Sequence, residues 1–117
     1  MTQIDIPTPA FLANPRKQHL IGGEWRPAVS GETIETRNPT TGQVLATLAR
    51  GGKDDVDAAV KVARAAFEGP WSRFTPAQRQ QLLIRIYDIV EQHWDELATL
   101  ESLDMGAPLV RLKNIKE

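Results

Sequence analysis

The 117-residue sequence contains no cysteine. This excludes a disulfide framework, a thiolate zinc site, a cysteine redox centre and any thiol nucleophile. Neither sign of charge is in excess. Lys and Arg number 14 against 15 Asp and Glu, so no strong field draws the chain toward nucleic acid or an anionic membrane. No apolar run approaches the roughly 20 residues of a membrane span. Pro7, Pro9 and Pro15 interrupt the opening stretch, which has no basic segment followed by an apolar one and so does not read as a secretory signal. The expectation is a soluble, cytoplasmic chain with no nucleic-acid partner and no membrane partner. At this length a single domain with a small core is expected, and neither internal repeats nor low-complexity tracts are found.

The fold class expected from the residues is α+β, a short β-meander followed by two or three helices. Residues 1–18 read as a flexible N-terminal arm. Leu20-Ile21-Gly22-Gly23-Glu24-Trp25 then sets two short apolar segments around a Gly-Gly pair that suits a two-residue hairpin turn. Thr33 to Arg37 is a second extended stretch. It meets Asn38-Pro39-Thr40-Thr41-Gly42, a tight turn by its proline, asparagine and glycine chemistry, before Gln43 to Leu48 returns as a further strand. Gly51-Gly52 breaks that strand, and Asp54 or Asp55 is expected to cap the helix that follows. In it Val56, Ala59, Val60, Ala63 and Phe67 form one apolar stripe, closed by Gly69-Pro70. Thr75-Pro76-Ala77-Gln78 is a start signal with an N-cap threonine, an N1 proline and a capping-box glutamine. Leu82, Leu83, Ile86, Ile89 and Val90 give that helix its expected buried face. A third helix is expected from Asp95 through Leu97, Leu100 and Leu103 to a stop at Gly106 and Pro108. Neither long helix can bury its stripe on so short a meander alone.

Candidate chemistry is sparse. Gly51-Gly52-Lys53 fits neither the P-loop nor the dinucleotide fingerprint and reads as a strand-to-helix turn. Glu101 and Asp104, three residues apart, could pair for acid–base work but read better as a solvated face. His19 and His93 show no metal-ligand pattern and read as surface histidines. Ser72 and Ser102 lack a Gly-x-Ser-x-Gly setting. Trp25, Trp71 and Trp94 lie in separate elements of a slightly acidic chain, which favours packing in a core or interface over base stacking. Arg111, Lys113 and Lys116 form a mildly basic helix face. Leu109, Val110, Leu112 and Ile115 continue an apolar pattern to the last residues, which predicts a segment of a longer chain.

Taken in order and spacing, Ile21-Gly22-Gly23-Glu24-Trp25, Asn38-Pro39-Thr40-Thr41-Gly42, the helix from Asp54 to Phe67, and Thr75 to Gly106 with Leu103-Asp104-Met105-Gly106-Ala107-Pro108 resemble the N-terminal region of the aldehyde dehydrogenase superfamily. The resemblance runs from about His19 to Pro108. It implies that residues 19–117 are an incomplete N-terminal part of an α/β Rossmann-type cofactor domain. The complete enzyme would use NAD or NADP to oxidise an aldehyde to a carboxylic acid. In that family a thiolate adds to the aldehyde, hydride passes to the nicotinamide, and a glutamate helps water hydrolyse the thioester, with backbone and asparagine amides holding the oxyanion. None of those catalytic or cofactor-binding residues has a counterpart here, so no cofactor is expected to bind this chain alone. The resemblance transfers one minor site, in which groups matching Thr36 and Asp104 hold a monovalent cation together with a ligand from later in the chain. The implied partner is the remainder of an aldehyde dehydrogenase subunit. The alternatives are a stand-alone interaction module docking on a full-length relative, and a homo-oligomer.

Overall fold

A computed structural model describes residue 6 and residues 8–114. The Gly22-Gly23 turn forms as expected. His19–Ile21 (β2) pairs antiparallel with Glu24–Arg26 (β3), and Leu20 stands opposite Trp25. Both glycines have positive φ, 65° and 83°, which a type I′ turn demands and other residues resist. The second hairpin joins Thr33–Arg37 (β4) to Val44–Ala49 (β5). Its turn is closed by the Asn38 side chain, whose Oδ1 accepts from the Thr40 amide at 2.8 Å. A register shift follows between Thr36 and Arg37.

These two hairpins do not form one meander. β2 and β3 stand as a separate two-stranded sheet, and β5 lies at the centre of a three-stranded sheet between β4 and Arg16–Lys17 (β1). The physical reason lies in the link between the hairpins. Pro27 has no amide to give a ladder, and the Val29 amide donates at 3.0 Å to Asp55 at the start of the first helix rather than to a strand. The second side of β5 is therefore taken in parallel by β1, with the Thr47 amide donating to Pro15 O at 2.8 Å. This also revises part of the expected arm. Ala10–Ala13 forms a 3-10 turn whose Phe11 amide donates to Glu96 at 2.8 Å, and Arg16 and Lys17 are paired. Residues 1–5 and Pro7 of that arm lie outside the described residues.

Lys53–Glu68 (α1) begins at an N-cap glycine, Gly52, so neither Asp54 nor Asp55 is the cap. Asp55 sits at the third helical position and reaches back, its Oδ2 accepting from the Gly52 amide at 2.9 Å. Pro70–Arg73 is a 3-10 turn. Pro76–Gln92 (α2) opens with the expected reciprocal box. The Thr75 amide donates to Gln78 Oε1 at 2.8 Å, and the Gln78 amide donates to Thr75 Oγ1 at 3.3 Å. Trp94–Met105 (α3) follows, then Leu109–Lys113 (α4). Ile115 and Lys116, in the expected apolar and basic tail patterns, lie outside the described residues. No helix among the described residues is long and apolar enough to cross a membrane.

Gly106 ends α3 with φ 74°, and a Cβ there would come within 3.1 Å of Pro39. The helix end is thus packed onto the Asn38–Gly42 turn, which fixes α3 on the sheet. Gly106→Ala is expected to cost about 1–2 kcal/mol from the left-handed backbone, with the Pro39 contact adding to it. Denaturant titration of the helical signal with and without the substitution checks the figure, and an unchanged midpoint would contradict it.

The core is small. Among the described residues Ile21, Ala28, Ala46 and Ala98 are buried, and no large side chain is fully so. Helix α1 turns Asp55, Ala58 and Val62 toward the rest of the fold, Val62 lying against Gly22. At 100° per residue its Val56–Val60–Ala63–Phe67 stripe lies roughly 140° away from that face, and it is exposed. The face of α2 expected to be buried is exposed as well, Leu83 by 64 %. The result is a flat body of 57 × 40 × 19 Å.

Candidate functional site

Strand β4 and helix α3 bring together two residues 68 positions apart. Thr36 Oγ1 donates to Asp104 Oδ1 at 2.5 Å. The alternation of β4 points Thr36 toward α3. The left-handed stop at Gly106 presses the last turn of α3, with Asp104, against the same sheet. Beside this contact opens a crevice of about 370 Å³ between the Ala10–Ala13 turn, β5 and α3. Its walls are mostly apolar, among them Leu45, Leu48, Leu97 and Leu100, with Glu101 and Asp104 at a polar margin. Lys17 also borders it, but its ammonium is engaged, donating to the Phe11 carbonyl and lying 3.6 Å above the Phe11 ring.

The donor chemistry at Thr36 and Asp104 suits a hard cation, which takes oxygen ligands. The number of donors does not: among the described residues no cluster of three or more His, Cys, Asp or Glu could hold a metal ion. Glu101 and Asp104 are exposed at the surface, and Asp104 meets the Thr36 hydroxyl rather than a base. The hydroxyls of Ser72 and Ser102 are spent on backbone carbonyls, those of Gly69 and Ala107, each at 2.7 Å. Lys53, in the Gly-Gly-Lys turn, pairs with Asp57 one helical turn on, at 2.5 Å. The turn is the strand-to-helix connection expected from the sequence.

A second polar locus centres on Asp55. Asp55 is buried and accepts two backbone amides, from Gly52 and from Val29. These hold its carboxyl below the usual carboxylate range, the Gly52 amide most and the Val29 amide next; burial opposes them and the nearby His19 assists. His19 is not a surface histidine. Its ring is half-buried beside Gly51, and its Nε2 is shielded from solvent with no hydrogen-bond partner. The signal available in the sequence was an acidic residue at the third helical position, where it can accept a preceding amide. The Val29 bond, 26 residues back, had none.

A depressed folded pKa contributes stability above the unfolded value of about 3.9 and loses it as pH falls through the folded value. Acid is therefore expected to loosen the α1 start and the Val29 loop together. Asp55→Ala should speed amide exchange at Gly52 and Val29 at neutral pH, and unchanged protection at both would contradict this role.

The tryptophans lie apart. Trp25 is 62 % exposed on the small hairpin, which excludes it from the core. Trp71 packs on Phe74 with ring centroids 5.4 Å apart, under the Arg79 guanidinium. Trp94, at the start of α3, is half-buried. No shared stacking platform results.

A family model described as "Aldehyde dehydrogenase family" matches residues 25–115. Aldehyde dehydrogenase 1 of Tanacetum cinerariifolium is 48% identical over 90 residues, which cover 76% of this chain and 18% of that protein. A solved aldehyde dehydrogenase variant from Bacillus cereus superposes with a TM-score of 0.86 at 44% identity, over 90% of this chain and 21% of its own. The NAD+ complex of aldehyde dehydrogenase from the same organism gives 0.77 at 47% identity, over 81% of this chain and 19% of its own. The chain thus spans about a fifth of the length of the relatives it matches. With 91 contiguous residues under the family model and the same path through both hairpins and the helices, the chain belongs to the aldehyde dehydrogenase family.

Proposed function

We propose that this chain is the N-terminal part of an NAD(P)-dependent aldehyde dehydrogenase, residues 19–117 forming the entry to its cofactor domain, and that it has no dehydrogenase activity by itself. The observation that carries this reading is the match of residues 25–115 to a family whose members are about five times longer. In the complete enzyme the dinucleotide accepts hydride. This chain holds neither a glycine-rich dinucleotide turn nor a thiol to attack an aldehyde. Its own contribution is structural: the three-stranded sheet and α3, locked at Gly106, carry Thr36 and Asp104 into contact.

Those two residues are part of the proposal as oxygen donors to a monovalent cation, the remaining donors coming from sequence outside this chain. Exchanging potassium for a bulky organic cation should then leave the melting of this chain alone unchanged. It should lower the melting temperature of the complete enzyme, and Asp104→Asn should abolish that difference. Equal melting of the complete enzyme in both salts would refute the site.

The native mass of the product tests the larger reading. An antibody raised against residues 19–108 should detect in source cells a species roughly five times the 13.0 kDa of this chain. A species only at the lower mass would contradict it and favour the stand-alone interaction module, the reading to which the exposed helix stripes also lend support.

A further inference from the structure

Three charged side chains line the crevice beside the Thr36–Asp104 contact: Lys17, Glu101 and Asp104. Two carboxylates against one ammonium leave that wall with a single negative charge. The neighbours of Thr36 on β4 do not alter this balance. Glu35 and Arg37 alternate onto the opposite face of the strand, where they pair with each other. The Lys17 ammonium is not free to swing away. The Phe11 carbonyl accepts from it, and the Phe11 ring centre lies 3.6 Å from it. The turn that carries Phe11 is itself fastened, its amide donating to Glu96 on α3 at 2.8 Å. Lys17 is therefore a fixed positive charge in the same mostly apolar crevice of about 370 Å³ as the two carboxylates.

Resting on the cation site of the proposed function, we infer that Lys17 sets the valence of the ion, favouring a monovalent cation over a divalent one. A monovalent ion brings this wall to neutrality. A divalent ion leaves one positive charge beside Leu45, Leu48, Leu97 and Leu100, where an unpaired charge is costly. Hydroxyl and carboxylate oxygens also suit hard divalent ions, so the donor atoms alone do not make the distinction. A space of about 370 Å³ is roughly 9 Å across, and at an effective dielectric of about 20 two unit charges that far apart change an equilibrium about twentyfold. Solvent over the half-buried Lys17 reduces this to about tenfold. The repulsion scales with the charge of the ion, so a divalent ion is disfavoured by about the square of that factor, about a hundredfold. Donors from outside this chain act equally with and without the Lys17 charge, so the change on removing it belongs to this residue.

The experiment follows thermal unfolding of the complete enzyme while potassium or calcium chloride replaces the chloride of a bulky organic cation at constant ionic strength. For each ion it reads the concentration that gives half the maximal rise in melting temperature, and Asp104→Asn supplies the response of ions bound elsewhere. The unsubstituted enzyme should respond to potassium at a lower concentration than to calcium. Lys17→Gln removes the charge and keeps a donor for the Phe11 carbonyl. It should lower the half-saturating concentration about tenfold for potassium and about a hundredfold for calcium. Lys17→Met should give the same ratio, and Lys17→Arg, which keeps the charge, should retain the original one. Lys61→Met loses an equal charge from an exposed residue of α1 outside the crevice and should change neither value. Each titration starts from its own cation-free baseline, so a lower starting stability in a variant does not disturb the ratio. Stabilisation by potassium with an unchanged ratio in Lys17→Gln, or an equal shift for both ions, would overturn the role of Lys17 and leave the cation site standing. Tighter calcium than potassium in the unsubstituted enzyme would do the same. No stabilisation by either ion in any variant would overturn the site and the inference together.

Discussion

Purified alone, the chain is expected to yield no NADH or NADPH above the uncatalysed background with any aldehyde. The deficit is not a misplaced residue that could be tuned back. Acyl chemistry of this kind needs a nucleophile that forms and then releases a covalent adduct, and a preorganised donor pair for the oxyanion. The sequence has no thiol. The hydroxyls that could be imagined in its place, Ser72 and Ser102, donate to carbonyls that close a turn and a helix end. A cysteine introduced at either position would therefore meet neither a base nor a bound nicotinamide, and should not restore turnover. A rate that follows enzyme concentration and requires both aldehyde and dinucleotide would contradict this.

The second large effect concerns folding. A cooperative domain of 117 residues should absorb roughly 80 kcal/mol near its melting temperature. The isolated chain is expected to absorb less than half of that, over a broad transition. Helices α1 and α2 are each near the length at which an unsupported helix is marginal in water. What supports them is slight: Asp55 and Val62 hold α1 at one face, and α2 meets chiefly α3. Calorimetry with far-UV circular dichroism checks this. Helical signal should fade before the sheet does, and Leu83→Asp should change the isolated chain by no more than about 0.5 kcal/mol, as for an exposed site. One sharp transition carrying the full enthalpy would show that the chain is self-sufficient.

Local chemistry was legible wherever neighbouring residues decide the conformation. The Gly22-Gly23 turn, the Asn38 turn, the Thr75–Gln78 box and the Gly106 stop each follow from residues within a few positions of one another, and each forms. What was not legible depends on distant partners. The pairing of β1 with β5 is set by the link from Pro27 to Glu32, whose Val29 amide is taken by Asp55. The docking of the Ala10–Ala13 turn rests on Glu96, 85 residues from Phe11. Helical periodicity marked the α1 and α2 stripes correctly as apolar, but it cannot say whether the covering surface belongs to the same 117 residues. The Thr36–Asp104 pairing came from family resemblance; neither residue type nor its local setting distinguishes it from an ordinary surface contact.

The most direct test of the account is to replace the matched N-terminal fifth of the Bacillus cereus aldehyde dehydrogenase with this chain and measure aldehyde-dependent NAD reduction. A soluble protein with activity within about tenfold of the parent, a difference of about 1.4 kcal/mol in the barrier, is the predicted result. A folded replacement protein with no such activity would contradict the claim that these residues serve as the first part of that catalytic body.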